Sequence, residues 1–183
     1  MGIWPTMRVP LYPMITPWCL ESCGAVTTAL AATDADSAAG AAWPAANLAL
    51  FVPFFVAERV TIVKLGIKNG TVATANLDIG IYDALGTRLV SVGGTAQIGG
   101  NGNFQTYDVT DTQLLPGVYY LAVAFDTSAG TIARGLSGAS AATMSITGMV
   151  EQTSAYPLPA TATFAALTHE FLPMVCATIR TEV

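Results

Sequence analysis

The sequence predicts an all-β fold, a jelly-roll-like antiparallel β-sandwich with an extended N-terminal arm. From about Asn47 onward, short apolar runs alternate with turn residues roughly every ten positions, a spacing typical of sandwiches and barrels. No convincing amphipathic helix separates these runs, as helices would in a parallel α/β sheet. The chain has 183 residues, enough for one sizeable core. We therefore divide it into an arm, residues 1–43, and one sandwich domain, residues 44–183.

Two segments early in the predicted domain, residues 60–68 and 76–82, show the two-residue period of a half-buried strand. The apolar positions that alternate along them are Val63, Leu65, Ile67, Leu77, Ile79 and Ile81. Asn69-Gly70 ends the first segment with a turn. The sequence Asp83-Ala84-Leu85-Gly86 turns the second segment into a further strand at 88–92, which predicts a hairpin.

The later strands are predicted in the same way. A strand at 104–109 precedes the turn Leu115-Pro116-Gly117, which leads into a strand at 118–125. Because both faces of that strand are apolar, we expect it to be central and buried on both sides. Two more alternating segments, 143–150 and 175–180, bring the total to roughly eight to ten strands.

The composition predicts assembly. Hydrophobic residues make up 52% of the chain and charged residues only 10%, compared with about 25% charged in ordinary soluble domains. A surface so poor in charge tends to expose apolar patches, which mark contacts with other chains, so we expect a homo-oligomer. The net charge of −5 with 7 Lys and Arg offers no basic stripe, which argues against a nucleic-acid partner.

The N-terminal arm carries two unusual features. Pro5, Pro10, Pro13 and Pro17 oppose both a helix and a central strand. All three tryptophans of the chain also lie in the arm, and these are Trp4, Trp18 and Trp43. Because Trp is enriched at interface hot spots, we take them as partner-contact candidates on an arm that reaches over a neighbouring subunit. The alternative is that the arm folds back and covers its own sandwich.

The chemistry of catalysis and metal binding is missing from the sequence pattern. The only histidine, His169, is distant in sequence from Cys19 and Cys23, and no Gly-x-Ser-x-Gly motif accompanies it. We therefore predict no catalytic residue, no cofactor-binding residue, no metal ligand and no cofactor. Three cysteines cannot complete a disulfide framework, which favours reduced thiols and synthesis in a reducing cytoplasm.

The uncharged stretch 37–57 is long enough to cross a bilayer, yet Pro44, Asn47 and Pro53 interrupt it. Its second half alternates like a strand. We therefore expect no membrane partner.

Three segments carry a family resemblance, and these are LDIGIYDALGTRLVSVGGTAQ, FQTYDVTDTQLLPGVYYLAVAFDTSAGT and YPLPATATFAALTHEFLPMVCATIR. Together they resemble β-sandwich proteins encoded among the structural genes of tailed bacteriophages, over about residues 47 to 180. The resemblance implies a virion component of the tail, the tail fibre or the capsid exterior, with other virion proteins as partners. It implies a location in the virion after synthesis in the host cytoplasm, and it supplies no enzymatic residues.

A second class of function stays open from the residues alone. Aromatic platforms on β-sandwiches bind sugars, and Tyr82, Tyr107, Tyr119 and Tyr120 are candidates for such a platform. The alternative prediction is thus a glycan-binding module for attachment to a host surface.

Overall fold

The computed structural model describes residues 18–20, 25–27, 40–98, 102–135 and 140–181. The regular secondary structure in this part of the chain is β-strand, apart from one helical turn, α1 (Ala141–Ser145). In chain order the strands are β1 (Trp18–Leu20), β2 (Ala25–Thr27), β3 (Ala41–Ala42), β4 (Ala49–Val56), β5 (Val60–Lys68), β6 (Asn76–Asp83), β7 (Arg88–Ser91), β8 (Thr95–Ala96), β9 (Phe104–Leu114), β10 (Gly117–Phe125), β11 (Thr131–Ile132), β12 (Arg134–Gly135), β13 (Val150–Gln152), β14 (Ala165–Ala166), β15 (Leu172–Pro173) and β16 (Val175–Thr181).

Two antiparallel sheets form the body of the domain. Sheet A has the order β1-β2-β16-β5-β9, and sheet B has the order β14-β13-β4-β10-β6-β7, with β8 also paired to β6. Apolar side chains from both sheets form one core, with Ile62 and Leu65 from sheet A packed with residues such as Ile79 and Val123 from sheet B. Burial of these facing surfaces holds the sheets together. The predicted all-β sandwich is confirmed, whereas its jelly-roll connectivity stays a prediction.

β10 is the central strand of sheet B. It pairs with β4 on one side and with β6 on the other, almost along its whole length. Every residue from Leu121 to Phe125 is fully buried. The prediction of a central strand is confirmed, and burial on both faces holds from Leu121 to Phe125, whereas Val118 is 42% exposed. The outer face of sheet B therefore also needs a cover over residues 121–125.

A β-bulge in β5 changes the predicted alternation. Thr178 of β16 is opposite Lys64 and Ile179 is opposite Ile62, so Val63 is the extra residue against β16. The register with β9 also shifts between Ile62 and Lys64. A bulge exchanges the two faces of a strand, which lets Ile62 before it and Leu65 after it both point into the core. The expectation that Val63 shares the buried face is corrected, because Val63 is only partly buried and lies outside the core cluster.

The predicted strand at 143–150 is wrong over most of its length. Its first part belongs to α1, and only the last residue, Val150, enters β13. Two side-chain hydroxyls bond to nearby carbonyls, Ser145 Oγ to Ala141 O at 2.9 Å and Thr147 Oγ1 to Met144 O at 2.6 Å. Such local bonds compete with strand pairing, and Gly148 then turns the chain with φ of +85°.

The hairpin between β6 and β7 is confirmed. Asp83 Oδ1 accepts hydrogen bonds from the N–H groups of Leu85 at 2.9 Å and Thr87 at 2.8 Å. Gly86 closes the turn with φ of +85°, a left-handed conformation that glycine adopts without a steric cost.

The described parts of the predicted arm join the sandwich. β2 pairs with β16, and β1 pairs with β2, so both extend sheet A. β3 pairs with β11. The side chain of Trp43 is only 1% exposed, and its ring packs against Phe125 at 4.9 Å and Phe171 at 5.2 Å between centroids. Its indole N–H donates to the carbonyl of Leu48 at 3.0 Å. This burial places Trp43 in the core of its own domain, as the fold-back alternative expects, and a partner contact of Trp43 stays a prediction.

Within the described residues, the structure contains no helix that is long and apolar enough to cross a membrane. The apolar stretch that raised the question ends in a strand, β4.

Candidate interaction surface

The three predicted contact residues are placed very differently. Trp4 lies outside the described residues. Trp18 is the first residue of β1 and pairs with Thr27 of β2. Thr27 pairs on its other side with Cys176 of β16. Trp43 is in the core. A contact surface therefore has to be sought among other residues, and the outer face of sheet B is where apolar side chains collect.

One half of that outer face is covered by a later part of the same chain, residues 155–164, which we call the strap. Ala155, Leu158 and Ala162 of the strap pack in a second apolar cluster. The sheet contributes β4, β6 and β10 side chains to this cluster, namely Ala49, Phe51, Tyr82, Ala122 and Ala124. This cover explains how β10 is buried on both of its faces.

Polar groups of sheet B fasten the strap. The buried carboxylate of Asp78 accepts hydrogen bonds from the N–H of Gly93 at 2.9 Å and the N–H of Leu158 at 3.1 Å. Arg88 donates to the carbonyl of Leu158, and its own N–H donates to the carbonyl of Ala160 at 2.9 Å. Burial raises the pKa of Asp78, although these backbone N–H groups and Arg88 act in the opposite direction.

Tyr82 adds a further fastening point. Its hydroxyl donates to the carbonyl of Pro159 at 2.6 Å, and burial raises the pKa of the phenol. The neutral phenol is thus held as a donor. Asp78, Arg88 and Tyr82 therefore act on the backbone of the strap, and they fix its position.

The other half of the outer face is open. We call this half the open face. It consists of Pro53 and Phe55 of β4 and Val118 and Tyr120 of β10. Phe55 is directly opposite Val118, and Pro53 is directly opposite Tyr120. Phe55 is 45% exposed and Val118 is 42% exposed, while Pro53 and Tyr120 are partly buried. Neither β4 nor β10 contains a charged residue.

Phe164 marks the border between the two halves. Its ring contacts Phe51 on the covered side at 5.1 Å and Tyr120 on the open side at 4.7 Å between centroids. The apolar surface thus continues from the covered half to Phe55 and Val118, which are exposed, whereas Tyr120 is packed against Phe164 and Pro53 lies close to Gly148.

The edge of sheet B beside the open face is also incomplete. β13 pairs with β4 only from Ala49 to Phe51. Beyond that point, Val52 to Val56 have no strand partner on this side among the residues that the structure describes. Pro53 lies in this stretch and has no N–H to offer, a common protection of edge strands against pairing with other chains.

The four candidate tyrosines of a glycan platform do not converge. Tyr82 is buried, and Tyr107 packs against the core with its hydroxyl donating to Ala96 O at 3.0 Å. Tyr119 packs against Phe54, and its hydroxyl donates to Leu115 O at 2.9 Å. Only Tyr120 belongs to the open face.

A buried glutamate with a histidine partner is a polar cluster that the sequence did not predict. Glu151 is 4% exposed and accepts hydrogen bonds from the N–H of Thr168 at 3.0 Å, its hydroxyl at 2.6 Å and the N–H of His169 at 3.2 Å. His169 Nδ1 lies 2.9 Å from Glu151 Oε2. Burial raises the pKa of Glu151, but the hydrogen bonds from Thr168 and His169 outweigh it, so the pKa lies below its ordinary value. No local sequence pattern predicts these contacts, because Thr168 and His169 lie 17 and 18 positions from Glu151 in the chain.

Exposed carboxylates pair with cations instead of converging. Asp108 lies 3.1 Å from Lys64 Nζ, and Asp111 lies 3.0 Å from Arg180 Nη2. Across the described ranges, no group of three or more His, Cys, Asp or Glu side chains is placed to hold a metal ion. The predictions of no catalytic residue and no cofactor stay predictions.

Comparison with protein-family models, curated proteins and solved structures finds no match to this chain. The resemblance to tailed-phage virion proteins therefore depends on the sequence segments quoted above.

Proposed function

We propose that this chain is a structural subunit that acts by protein–protein assembly, as a virion protein of a tailed phage. The observation that carries the proposal is the open face of sheet B. Phe55 and Val118 are neighbours there, both are more than two-fifths exposed, and the two strands that bear them contain no charge. Contiguous apolar surface of this kind is a mark of contact with another chain.

The charge-poor composition supports the same proposal. With 10% charged residues, the chain has few means to keep a free monomer soluble. A subunit that joins a lattice or a ring would cover Phe55 and Val118 of the open face.

The test is the association state of the full chain. We expect the wild-type protein to sediment as an oligomer and Phe55→Ser to shift it toward monomer. Ile98→Ser is the matched control, because Ile98 is an apolar side chain that is 60% exposed but lies outside the open face. A wild-type chain that stays monomeric at every concentration up to the high micromolar range contradicts the proposal, as does equal dissociation by both variants.

A deletion of the whole predicted arm is not a suitable test. Cutting after residue 43 removes Trp43 from the core, together with β1, β2 and β3 from their sheets. Loss of assembly after that cut would not separate a docking arm from a damaged fold. Single substitutions on the open face avoid this problem, since they leave the core intact.

The glycan-binding module remains the alternative proposal, because Tyr120 is an aromatic side chain on an open sheet face. The other three members of that face, Pro53, Phe55 and Val118, offer no hydroxyl, amide or carboxylate to bind sugar hydroxyls. A glycan array separates the two functions. Binding above background that Tyr120→Ala removes, in a protein that remains monomeric, would favour the glycan module.

A further inference from the structure

We propose that the dipeptide Asn69-Gly70 is a modification site that the fold protects, and that deamidation of Asn69 prevents an unfolded chain from folding again. The dipeptide follows β5 and lies in the interior of one subunit, so the site does not depend on the proposed assembly function. Asparagine is a chemically labile residue, and a following glycine has no Cβ to hinder the reaction.

The reaction needs no reagent except water. The backbone nitrogen of Gly70 loses its proton and attacks Cγ of the Asn69 side chain. A new C–N bond closes a five-membered succinimide, the bond from Cγ to the side-chain NH₂ group breaks, and ammonia leaves with the proton. One water molecule then opens the ring to aspartate or isoaspartate. The net change is asparagine plus water to aspartate plus ammonia, without oxidation or reduction.

The attacking nitrogen is engaged in the folded chain. The N–H of Gly70 donates a hydrogen bond to the carbonyl of Thr131 at 2.9 Å, and this bond has to break before the nitrogen can react. Asn69 is 0% exposed, and Gly70 is also buried. Water therefore reaches the site only when this part of the domain opens.

A buried network of amides fixes the side chain of Asn69. Its NH₂ group donates to the carbonyl of Ile98 at 2.6 Å and to Gln105 Oε1 at 3.1 Å. Its Oδ1 accepts a hydrogen bond from Gln97 Nε2 at 2.9 Å. Because the carbonyl of Ile98 can only accept, the group that faces it has to carry a hydrogen. The site thus requires an amide.

An aspartate at position 69 does not fit this network. A carboxylate only accepts hydrogen bonds, so it would place an oxygen against the acceptors Ile98 O and Gln105 Oε1. A buried charge that faces acceptors is strongly destabilising. Isoaspartate adds a carbon to the backbone between the N–H of Gly70 and that of residue 69, which donates to Asn103 O at 2.9 Å. Either product opposes the native fold, and chemical change of the unfolded state makes unfolding irreversible.

The first experiment compares the rate of deamidation in the folded and the unfolded full chain. The protein is kept in mildly alkaline buffer, with or without enough urea to unfold it. Samples are digested with pepsin in acid, which slows the reaction, and mass spectrometry measures the conversion of Asn69. We expect conversion in native buffer to be at least about a hundredfold slower than in urea, because only rare open states react.

The sequence supplies an internal control, since Asn101-Gly102 is a second Asn-Gly dipeptide. In urea, where neither dipeptide is folded, Asn101 and Asn69 should react at similar rates.

The second experiment measures whether the modification blocks folding. Chains are held in urea for increasing times and then diluted into native buffer, and the folded fraction should fall in parallel with the loss of unmodified Asn69. Asn101→Gln removes the other Asn-Gly dipeptide and should leave this fall unchanged. Asn69→Asp should not reach the native fold at neutral pH. Asn103→Asp, the same change at an exposed asparagine, should fold like the wild type.

Three kinds of result overturn the proposal. Equal conversion of Asn69 in native buffer and in urea would show that the fold does not protect it. A lack of conversion in urea, where Asn101 reacts, would show that the dipeptide is not a modification site. Chains that refold fully with aspartate or isoaspartate at position 69, or a loss of refolding that Asn101→Gln abolishes, would show that Asn69 does not control folding.

Discussion

The carboxylate of Asp78 in β6 accepts a hydrogen bond from the backbone N–H of Leu158, which lies 80 positions further along the chain. This contact joins the middle of sheet B to the strap that covers it. Since Asp78 is fully buried, its hydrogen bonds are made in a medium where an unpaired polar group is costly.

Asp78→Asn should lower the free energy of unfolding by about 1–3 kcal/mol. An amide offers one acceptor oxygen, so its NH₂ group would face a backbone N–H of Gly93 or Leu158 that now binds a carboxylate oxygen. Urea denaturation measures the change. Asp108→Asn is the control, because that carboxylate side chain is 83% exposed. Equal stability of the two variants would mean that Asp78 does not hold the strap.

Glu151→Gln should destabilise the protein near neutral pH and should matter less in acid. The pKa of Glu151 in the folded protein lies below its ordinary value of 4.5, so ionised Glu151 stabilises the fold above that pH. This contribution is lost as the pH falls through the lowered pKa. The difference in unfolding free energy between wild type and variant should therefore shrink below about pH 4.5.

Exposed Glu170 beside His169 provides the matched variant, Glu170→Gln. A difference between wild type and Glu151→Gln that stays constant across the acid range would contradict the role given to the ionised carboxylate.

Gly86→Ala should cost more stability than Gly93→Ala. Both glycines have positive φ, +85° and +75°, so each substitution carries about 1–2 kcal/mol of backbone strain. Only at Gly86 would the new Cβ also lie 2.9 Å from the carbonyl oxygen of Ala162, whereas no atom lies within 4 Å at Gly93. Thermal or urea unfolding of both variants isolates the contact with the strap, and equal losses would count against it.

Trp43→Ala should lower the free energy of unfolding by about 3–5 kcal/mol, because it empties a core position between Phe125 and Phe171. Trp43→Phe should cost less, since it keeps a ring there and loses only the hydrogen bond to Leu48 and part of the volume. Both are measured by urea denaturation. Loss of assembly by Trp43→Phe in a normally folded protein would show that Trp43 serves a partner after all.

The sequence allowed the strands with regular alternation to be predicted well. Leu77, Ile79 and Ile81 all point into the core, as their two-residue period indicates. The alternation rule could not predict the bulge at Val63. The strand has apolar side chains before and after the bulge, so the sequence does not show where one extra residue exchanges its two faces. The helical turn at Ala141–Ser145 was missed for another reason, since local hydroxyl bonds override an alternating pattern.

The candidate surface was harder to predict. Composition indicated an apolar contact surface, yet the tryptophan signal led to Trp43, which packs inside its own domain. The exposure of Phe55 depends on where the strap ends, at Phe164, more than a hundred positions away in the sequence. No local pattern carries that information, because Phe51 is buried and Phe55 is exposed on the same face of one strand.

The place of β16 in sheet A has a consequence for how the protein is made. β16 is the last described strand, yet it lies between β2 and β5 in the interior of the sheet. During synthesis, β2 and β5 leave the ribosome before the strand that lies between them. Sheet A therefore cannot form completely until β16, which ends at residue 181, has been synthesised. The apolar inner faces stay accessible throughout that interval, when they are prone to aggregation. β16 must be synthesised before the domain can fold as a unit, so slow translation prolongs its most vulnerable state.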